Sequence, residues 1–133
     1  MRVTLGQQVF LIFLGLVIIY GLWLVINTIA IPRMSPYKIS IEKAKSLINN
    51  NYVDVIIDVR SPQEIKITGA LPGSVNIPIE KLEYIVPSNY PDKNTRILVY
   101  CRKGIRANKA TDKLRSMGYK SVYFITESYE NLL

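Results

Sequence analysis

The sequence predicts an α/β fold in which helices flank a mainly parallel sheet, preceded by one transmembrane helix. Three observations lead there. Beyond residue 37, short β-branched runs alternate with segments of helical periodicity, which argues for a parallel sheet covered on both faces. The run Ile97-Leu98-Val99-Tyr100 is apolar without alternation, as in a strand buried on both faces. No charged residue occurs between Val3 and Pro32, whereas about 20 apolar residues suffice for a helix to cross a hydrocarbon core of roughly 30 Å.

The apolar stretch comes first. From residue 9 to residue 31 it is interrupted by Gly15, Tyr20, Gly21, Asn27 and Thr28, and Tyr20 and Trp23 are its bulky amphipathic aromatics. Residues 1–32 are therefore expected to form an N-terminal transmembrane anchor. The alternative is a cleavable signal peptide, with Thr28-Ile29-Ala30 as a poor small-x-small site and an exported product. Against it, the apolar run outlasts the usual signal core of about 7–15 residues. Orientation follows the flanking lysines and arginines. Arg2 precedes the span, whereas Arg33, Lys38, Lys43 and Lys45 follow it. That asymmetry predicts a single-pass protein of the cell membrane with its C-terminal domain in the cytoplasm. Pro32 and Pro36 end the helix and hold residues 33–36 extended as a linker. Residues 37–133 then form one compact domain.

The chain carries 17 Lys and Arg against 10 Asp and Glu, and every acid follows the apolar stretch. No basic stripe with interleaved aromatics occurs, and no zinc-finger or RNA-binding signature, so nucleic acid is not an expected partner. Attraction to anionic headgroups of the lipid bilayer beside the anchor accounts for most of the lysines. A single cysteine allows no intrachain disulfide, which suits a reducing compartment. With no histidine and no nucleotide-binding glycine fingerprint, neither a metal nor an organic cofactor is expected.

The elements of the domain follow in order. Ser40 suits an N-cap, and Ile41, Ala44, Leu47 and Ile48 lay one apolar face on a helix over residues 41–49. Val53-Asp54-Val55-Ile56-Ile57-Asp58 is β-branched and bounded by turn residues, hence a strand. Ser61-Pro62-Gln63-Glu64 holds cap, N1 proline and capping-box acid in sequence, so a short helix starts there. Residues 69–73 form a loop and Val75-Asn76-Ile77 a short strand. Residues 80–85 are expected as a brief helix, and residues 87–94, opened by a proline, as a surface loop. After the buried strand, Ala107, Ala110, Leu114 and Met117 keep helical spacing until Gly118 ends the helix. Val122-Tyr123-Phe124-Ile125 is the last strand, and the tail from Thr126 is expected to hold a short helix.

Chemistry concentrates in Cys101-Arg102-Lys103-Gly104-Ile105-Arg106, which follows the buried strand and opens a helix. A thiol there faces backbone N–H groups, a helix N-terminus and several cations, all of which favour the nucleophilic thiolate. The amides from Arg102 through Lys103, Gly104 and Ile105 to Arg106 can curl into an anion-binding nest, and Gly104 gives the loop freedom to close. The side chains of Arg102, Lys103 and Arg106 are candidate binders of an anionic substrate. Cys101 and Asp58 both end strands, where ligands bind in parallel sheets.

Four features, in order, make the domain resemble the rhodanese superfamily. Ile57-Asp58-Val59-Arg60 is similar to its Asp-x-Arg element. Glu64 followed by Gly69-Ala70-Leu71-Pro72-Gly73-Ser74-Val75-Asn76-Ile77-Pro78 is similar to its Gly-His-Ile-Pro-Gly-Ala-x-Asn-Ile-Pro run. Val99-Tyr100-Cys101-Arg102-Lys103-Gly104 resembles its active-site loop, and Gly118-Tyr119 before Val122-Tyr123 its late helix-to-strand passage. There are two departures. Ala70 stands where many relatives have histidine, which excludes an imidazole base in a chain without histidine. Thr126-Glu127-Ser128 replaces glycines common after the final strand, a change expected to touch the local turn alone.

The resemblance implies a membrane-anchored sulfurtransferase. Cys101 attacks the outer sulfur of a small anionic donor such as thiosulfate, becomes a persulfide, and passes that sulfur to a thiol or cyanide acceptor. Asp58 and Arg60 support the loop structurally and are expected to pair with Glu64. The related phosphatases and arsenate reductases resemble Cys-x5-Arg, a wider cradle. Here four residues separate Cys101 from Arg106, and Ala107 holds that arginine's position, so sulfur is favoured over phosphate or arsenate. The alternative of another class is a non-catalytic binding or scaffold module at the membrane.

Overall fold

The computed structural model describes residues 3–28 and 35–133, and the chain divides into two compact units, Met1–Met34 and Ser35–Leu133. Arg2, Ile29, Ala30, and Arg33 and Met34 of the expected linker lie outside the described residues. So the two cations nearest the ends of the span, and part of the alternative cleavage site, have no structural account.

In the first unit, helix α1 spans Leu5–Thr28. It begins ahead of the apolar run because Thr4 and Gln7 form a capping box. The Thr4 amide donates to Gln7 Oε1 at 3.0 Å, and the Gln7 amide donates to Thr4 Oγ1 at 3.4 Å. Apolar side chains, among them Phe10, Phe13, Ile19 and Trp23, are exposed on every face, so the helix has no polar side to turn toward water. Its segment Leu5–Val25 is long and apolar enough to cross a membrane.

The second unit is an α/β layer structure. Strands β1 (Val55–Asp58), β2 (Val75–Asn76), β3 (Arg96–Tyr100) and β4 (Ser121–Phe124) form one parallel sheet in the order β2-β1-β3-β4. Helices α2 (Ile41–Asn49), α3 (Pro62–Thr68), α4 (Leu82–Asn89) and α5 (Ile105–Ser116) surround it. Successive strand residues point to opposite faces, and each face has its own core. Val55, Ile57, Ile97, Val99 and Val122 pack with Leu82 and Val86 of α4 and with Ala107, Ala110 and Leu114 of α5. Ile56, Leu98 and Tyr100 pack with Ala44 of α2 and with Tyr129 of a C-terminal 3-10 turn, Tyr129–Leu132. Burial on both faces is why β3 reads as an unbroken apolar run.

The strand order reverses between β1 and β3, and at such a switch point the crevice beyond the carboxyl ends of the strands is the ligand site. The register brings Asn76, Asp58 and Tyr100 abreast there. At the far edge, β4 is covered rather than bare. The Ile39 amide donates to the Phe124 carbonyl at 2.9 Å, and the Phe124 amide to the Tyr37 carbonyl at 3.1 Å. The Arg115 guanidinium lies 3.5 Å from the Tyr37 ring centroid and donates to the Val122 carbonyl.

Besides one-residue shifts at the ends of β2, β3 and β4, three elements differ from expectation. β1 starts two residues late: the Asp54 amide still donates to the Arg96 carbonyl at 2.9 Å, and the Asp54 carboxylate accepts from the amide and guanidinium of Arg96, so a side-chain bridge closes this end of the strand. Arg96 holds the Asp54 carboxyl down at about 2. The segment after β2 forms a 3-10 turn, Ile79–Lys81, that feeds α4. α4 then runs through Pro87, which had been expected to open a loop. The bond that Pro87 cannot make belongs to the carbonyl of Glu83, an exposed residue that water can serve, while Val86 is fully buried and keeps the turn docked.

The two-sided core predicts a contrast. Leu114→Ala, at a fully buried position of α5, should cost about 2–5 kcal/mol. Ile67→Ala, at a position 84% exposed on α3, should change stability by no more than about 0.5 kcal/mol. Urea unfolding of the full chain in neutral detergent, followed by tyrosine near-UV circular dichroism, measures both.

Candidate active site

Cys101 lies one residue past β3, and by alternation it shares the face of Ile97 and Val99 beneath α5. It is 2% exposed. Its Sγ accepts the Gly104 amide at 3.1 Å, a bond that a thiolate takes more strongly than a thiol. Gly104 is the N-cap of α5 with φ +81°, a left-handed conformation, and it supplies no capping side chain. Among the described residues no acceptor takes the amides of Arg102, Lys103, Ile105 or Arg106. A helix N-terminus with free amides beside a sulfur is an anion site by construction. Cys101, Arg102, Lys103, Ile105 and Arg106 line an open basin of about 550 Å³. Arg102 and Lys103 are exposed, with no ion pair among the described residues.

Thr126 backs the loop closely. A Cβ at Gly104 would lie 2.6 Å from Thr126 Cγ2 and 2.7 Å from Thr126 Cα. Thr126, two residues past β4, therefore packs directly against the loop, so the change from glycine at residue 126 is not confined to its own turn. The Thr126 amide and hydroxyl both lie against Glu127 Oε2, at 3.1 and 3.2 Å.

The expected pairing of Arg60 with Glu64 does not occur. Residues 58 and 60 point to the same side of the extended chain, so Arg60 turns back onto Asp58. Its Nη2 meets Asp58 Oδ2 at 2.6 Å, and its Nε meets the two carboxylate oxygens at 3.0 and 3.1 Å. Nη1 donates to Thr68 Oγ1 and Nη2 to the Gly69 carbonyl, both at 2.8 Å. The Tyr100 and Tyr129 rings lie 5.7 and 5.1 Å from the guanidinium. The hydrogen bonds that Arg60 donates to Asp58 raise its pKa above the ordinary value.

Glu64 instead takes Arg106. Both terminal nitrogens of the Arg106 guanidinium donate to the two oxygens of Glu64 at 2.7 Å. The same carboxylate accepts the Ser61 amide at 3.0 Å and completes the capping box of α3. The hydrogen bonds of Arg106, followed by the Ser61 amide, hold the Glu64 carboxyl at about 2, and Glu64 in turn raises Arg106. Arg106 thus borders the basin, but its hydrogen-bonding fork is engaged. Arg102 and Lys103 are left as the free cations.

Two further residues escaped the sequence reading. The Tyr100 hydroxyl accepts the Leu71 amide at 3.1 Å and sits 3.0 Å from Ser74 Oγ, and burial pushes its pKa up. Asn76 Nδ2 donates to the carbonyls of Asp58 and Arg60 at 3.0 and 2.8 Å and closes the end of β1. The signal for Tyr100 was present: a hydroxyl inside a buried strand needs a partner. Among the described residues no group of three or more His, Cys, Asp or Glu side chains is arranged to hold a metal.

The Glu64–Arg106 pair makes acid stability testable. The folded value lies below the ordinary 4.5, so the ionised pair contributes stability above about pH 4.5, lost as pH falls toward about 2. Glu64→Gln keeps the capping geometry but not the charge. It should be less stable than the parent at neutral pH and lose less of its stability between about pH 4.5 and about pH 2, as read by thermal unfolding across that range.

Comparison with known proteins gives this geometry a context. The family model for the rhodanese-like domain matches residues 40–133. A mouse protein, thiosulfate sulfurtransferase/rhodanese-like domain-containing protein 3, is 32% identical over 98 residues, covering 65% of this chain and 62% of that protein. The Escherichia coli thiosulfate sulfurtransferase PspE is 35% identical over 66 residues, covering 50% of this chain and 62% of that protein. The chain thus spans less than two thirds of either relative. The solved structure of the human single-domain sulfurtransferase TSTD1 superposes with a TM-score of 0.62 at 26% identity, covering 73% of this chain and 95% of that one. With the loop, the Asp58–Arg60 element and the parallel sheet in place, the chain belongs to the rhodanese-like domain family.

Proposed function

We propose that the protein is a rhodanese-type sulfurtransferase held at the cell membrane by α1. The observation that carries the reading is the Cys101 loop, where Sγ accepts the Gly104 amide beneath a helix N-terminus whose leading amides are free. The Cys101 thiolate attacks the outer sulfur of a small anionic donor such as thiosulfate. A new S–S bond forms, the donor's S–S bond breaks, and sulfite leaves with the electron pair. An acceptor thiolate, or cyanide, then attacks the outer sulfur of the persulfide, and the Cys101 thiolate departs. No step needs an imidazole. Free amides and the charges of Arg102 and Lys103 offset the anion throughout.

Loop length supports sulfur over phosphate or arsenate. A wider cradle places its arginine at residue 107, and Ala107 is fully buried in the core beneath the sheet. The cations at Arg33, Lys38, Lys43 and Lys45, set against Arg2, support a cytoplasmic domain.

Intact mass of the full chain in neutral detergent after thiosulfate tests the chemistry. The parent should gain one sulfur, removable by cyanide, and Cys101→Ser should gain none. A folded protein without the adduct overturns the thiosulfate reading in favour of a scaffold module. Protease added to sealed right-side-out vesicles should spare the domain; cleavage there reverses the orientation.

A further inference from the structure

The isoleucines of the second unit are buried or half-buried with two exceptions. Ile67 is 84% exposed and Ile105 is 67% exposed. Scattered exposed apolar residues need no explanation, but these two are not scattered. Ile105 precedes Arg106 and lines the Cys101 basin. Ile67 is one turn along α3 from Glu64, on the same side of that helix. Both therefore lie within a turn of the Glu64–Arg106 bridge. Lys66, Arg102 and Lys103 around them are exposed and carry no ion pair among the described residues. The neighbouring acid, Glu64, is already matched by Arg106.

This rim is more than a small anion needs. Cyanide or sulfite gains from the cations and nothing from exposed isoleucines. The Cys101 sulfur is buried at the basin floor, so an acceptor sulfur must be delivered on something that protrudes. Two aliphatic anchors inside a cationic surround match a protein surface with an apolar contact and an acidic rim. A flat bilayer offers apolar and anionic groups too, but it carries no thiol into the basin. We infer that the surface formed by Ile67, Ile105, Lys66, Arg102 and Lys103 docks the sulfur acceptor, an acidic protein that presents its cysteine beside an apolar side chain. This inference rests on the sulfurtransferase reading.

Single-turnover discharge of the thiosulfate-loaded full chain, in nanodiscs of neutral lipid, tests it. The probes are three cysteine peptides of equal length: acidic with leucines beside the cysteine, acidic with serines there, and basic with leucines. Cyanide is the reference. The acidic leucine peptide should discharge sulfur about tenfold faster than either other peptide. Ile67→Ser and Lys66→Glu should each remove most of that advantage while cyanide discharge stays at the parent rate. Equal peptide rates, or an advantage that survives both substitutions, overturns the docking surface. An advantage lost on moving to anionic-lipid nanodiscs assigns the surface to lipid and overturns it as well. Failure of the persulfide to load sinks the sulfurtransferase reading itself. Loading followed by indiscriminate discharge sinks only the docking surface.

Discussion

The buried Asp58–Arg60 pair is the interaction on which the site is assembled. The side chains are at most 4% exposed. A guanidinium in such surroundings must have its donors answered, or the desolvation cost outweighs the attraction. Here Asp58, Thr68 and the Gly69 carbonyl answer them, with two tyrosine rings against the planar face. These partners come from the end of β1, the last turn of α3 and the loop beyond it. Their positions are fixed relative to one another by one side chain. α3 in turn carries Glu64, and Glu64 holds the first turn of α5, where the Cys101 loop ends. The order of dependence thus runs from a buried ion pair, through a helix, to the Cys101 sulfur.

Seen this way, the basic residues of the site divide into two groups. Arg60 and Arg106 are architectural, each paired with a carboxylate. Arg102 and Lys103 are exposed and carry no ion pair among the described residues. A count of positive charges near Cys101 would treat these side chains as equivalent. Their partners show that charge and availability are separate properties, since a bidentate bridge leaves an arginine cationic while committing two of its donors.

Much of this was legible in the sequence because its cause was local. Period-two and period-3.6 patterns, caps at Ser40 and Ser61, and the glycine after α5 each act within a few residues, and the elements formed accordingly. The Cys101 loop was legible for the same reason: strand, basic turn and helix are contiguous. What stayed hidden was tertiary. Nothing in the spacing tells Arg60 to choose Asp58 and Arg106 to choose Glu64, because the second choice joins residues 42 positions apart. The pressure of Thr126 on Gly104 likewise arises because two chain segments meet beyond the ends of neighbouring strands. Pro87 misled in the other direction. A strong local breaker was overruled by the burial of its neighbour Val86.

The pairing of residues 37 and 39 with Phe124 has a mechanical side. This strap is the leading part of the second unit, close to where the chain arrives from the first. It is fastened to β4 by two backbone hydrogen bonds and by Arg115, and β4 ends two residues before the threonine that bears on the loop. A pull on the chain at Ser35 meets this strap first, and through its two backbone hydrogen bonds it meets β4. The path from there to Cys101 is short: strap, strand end, Thr126, Gly104, sulfur.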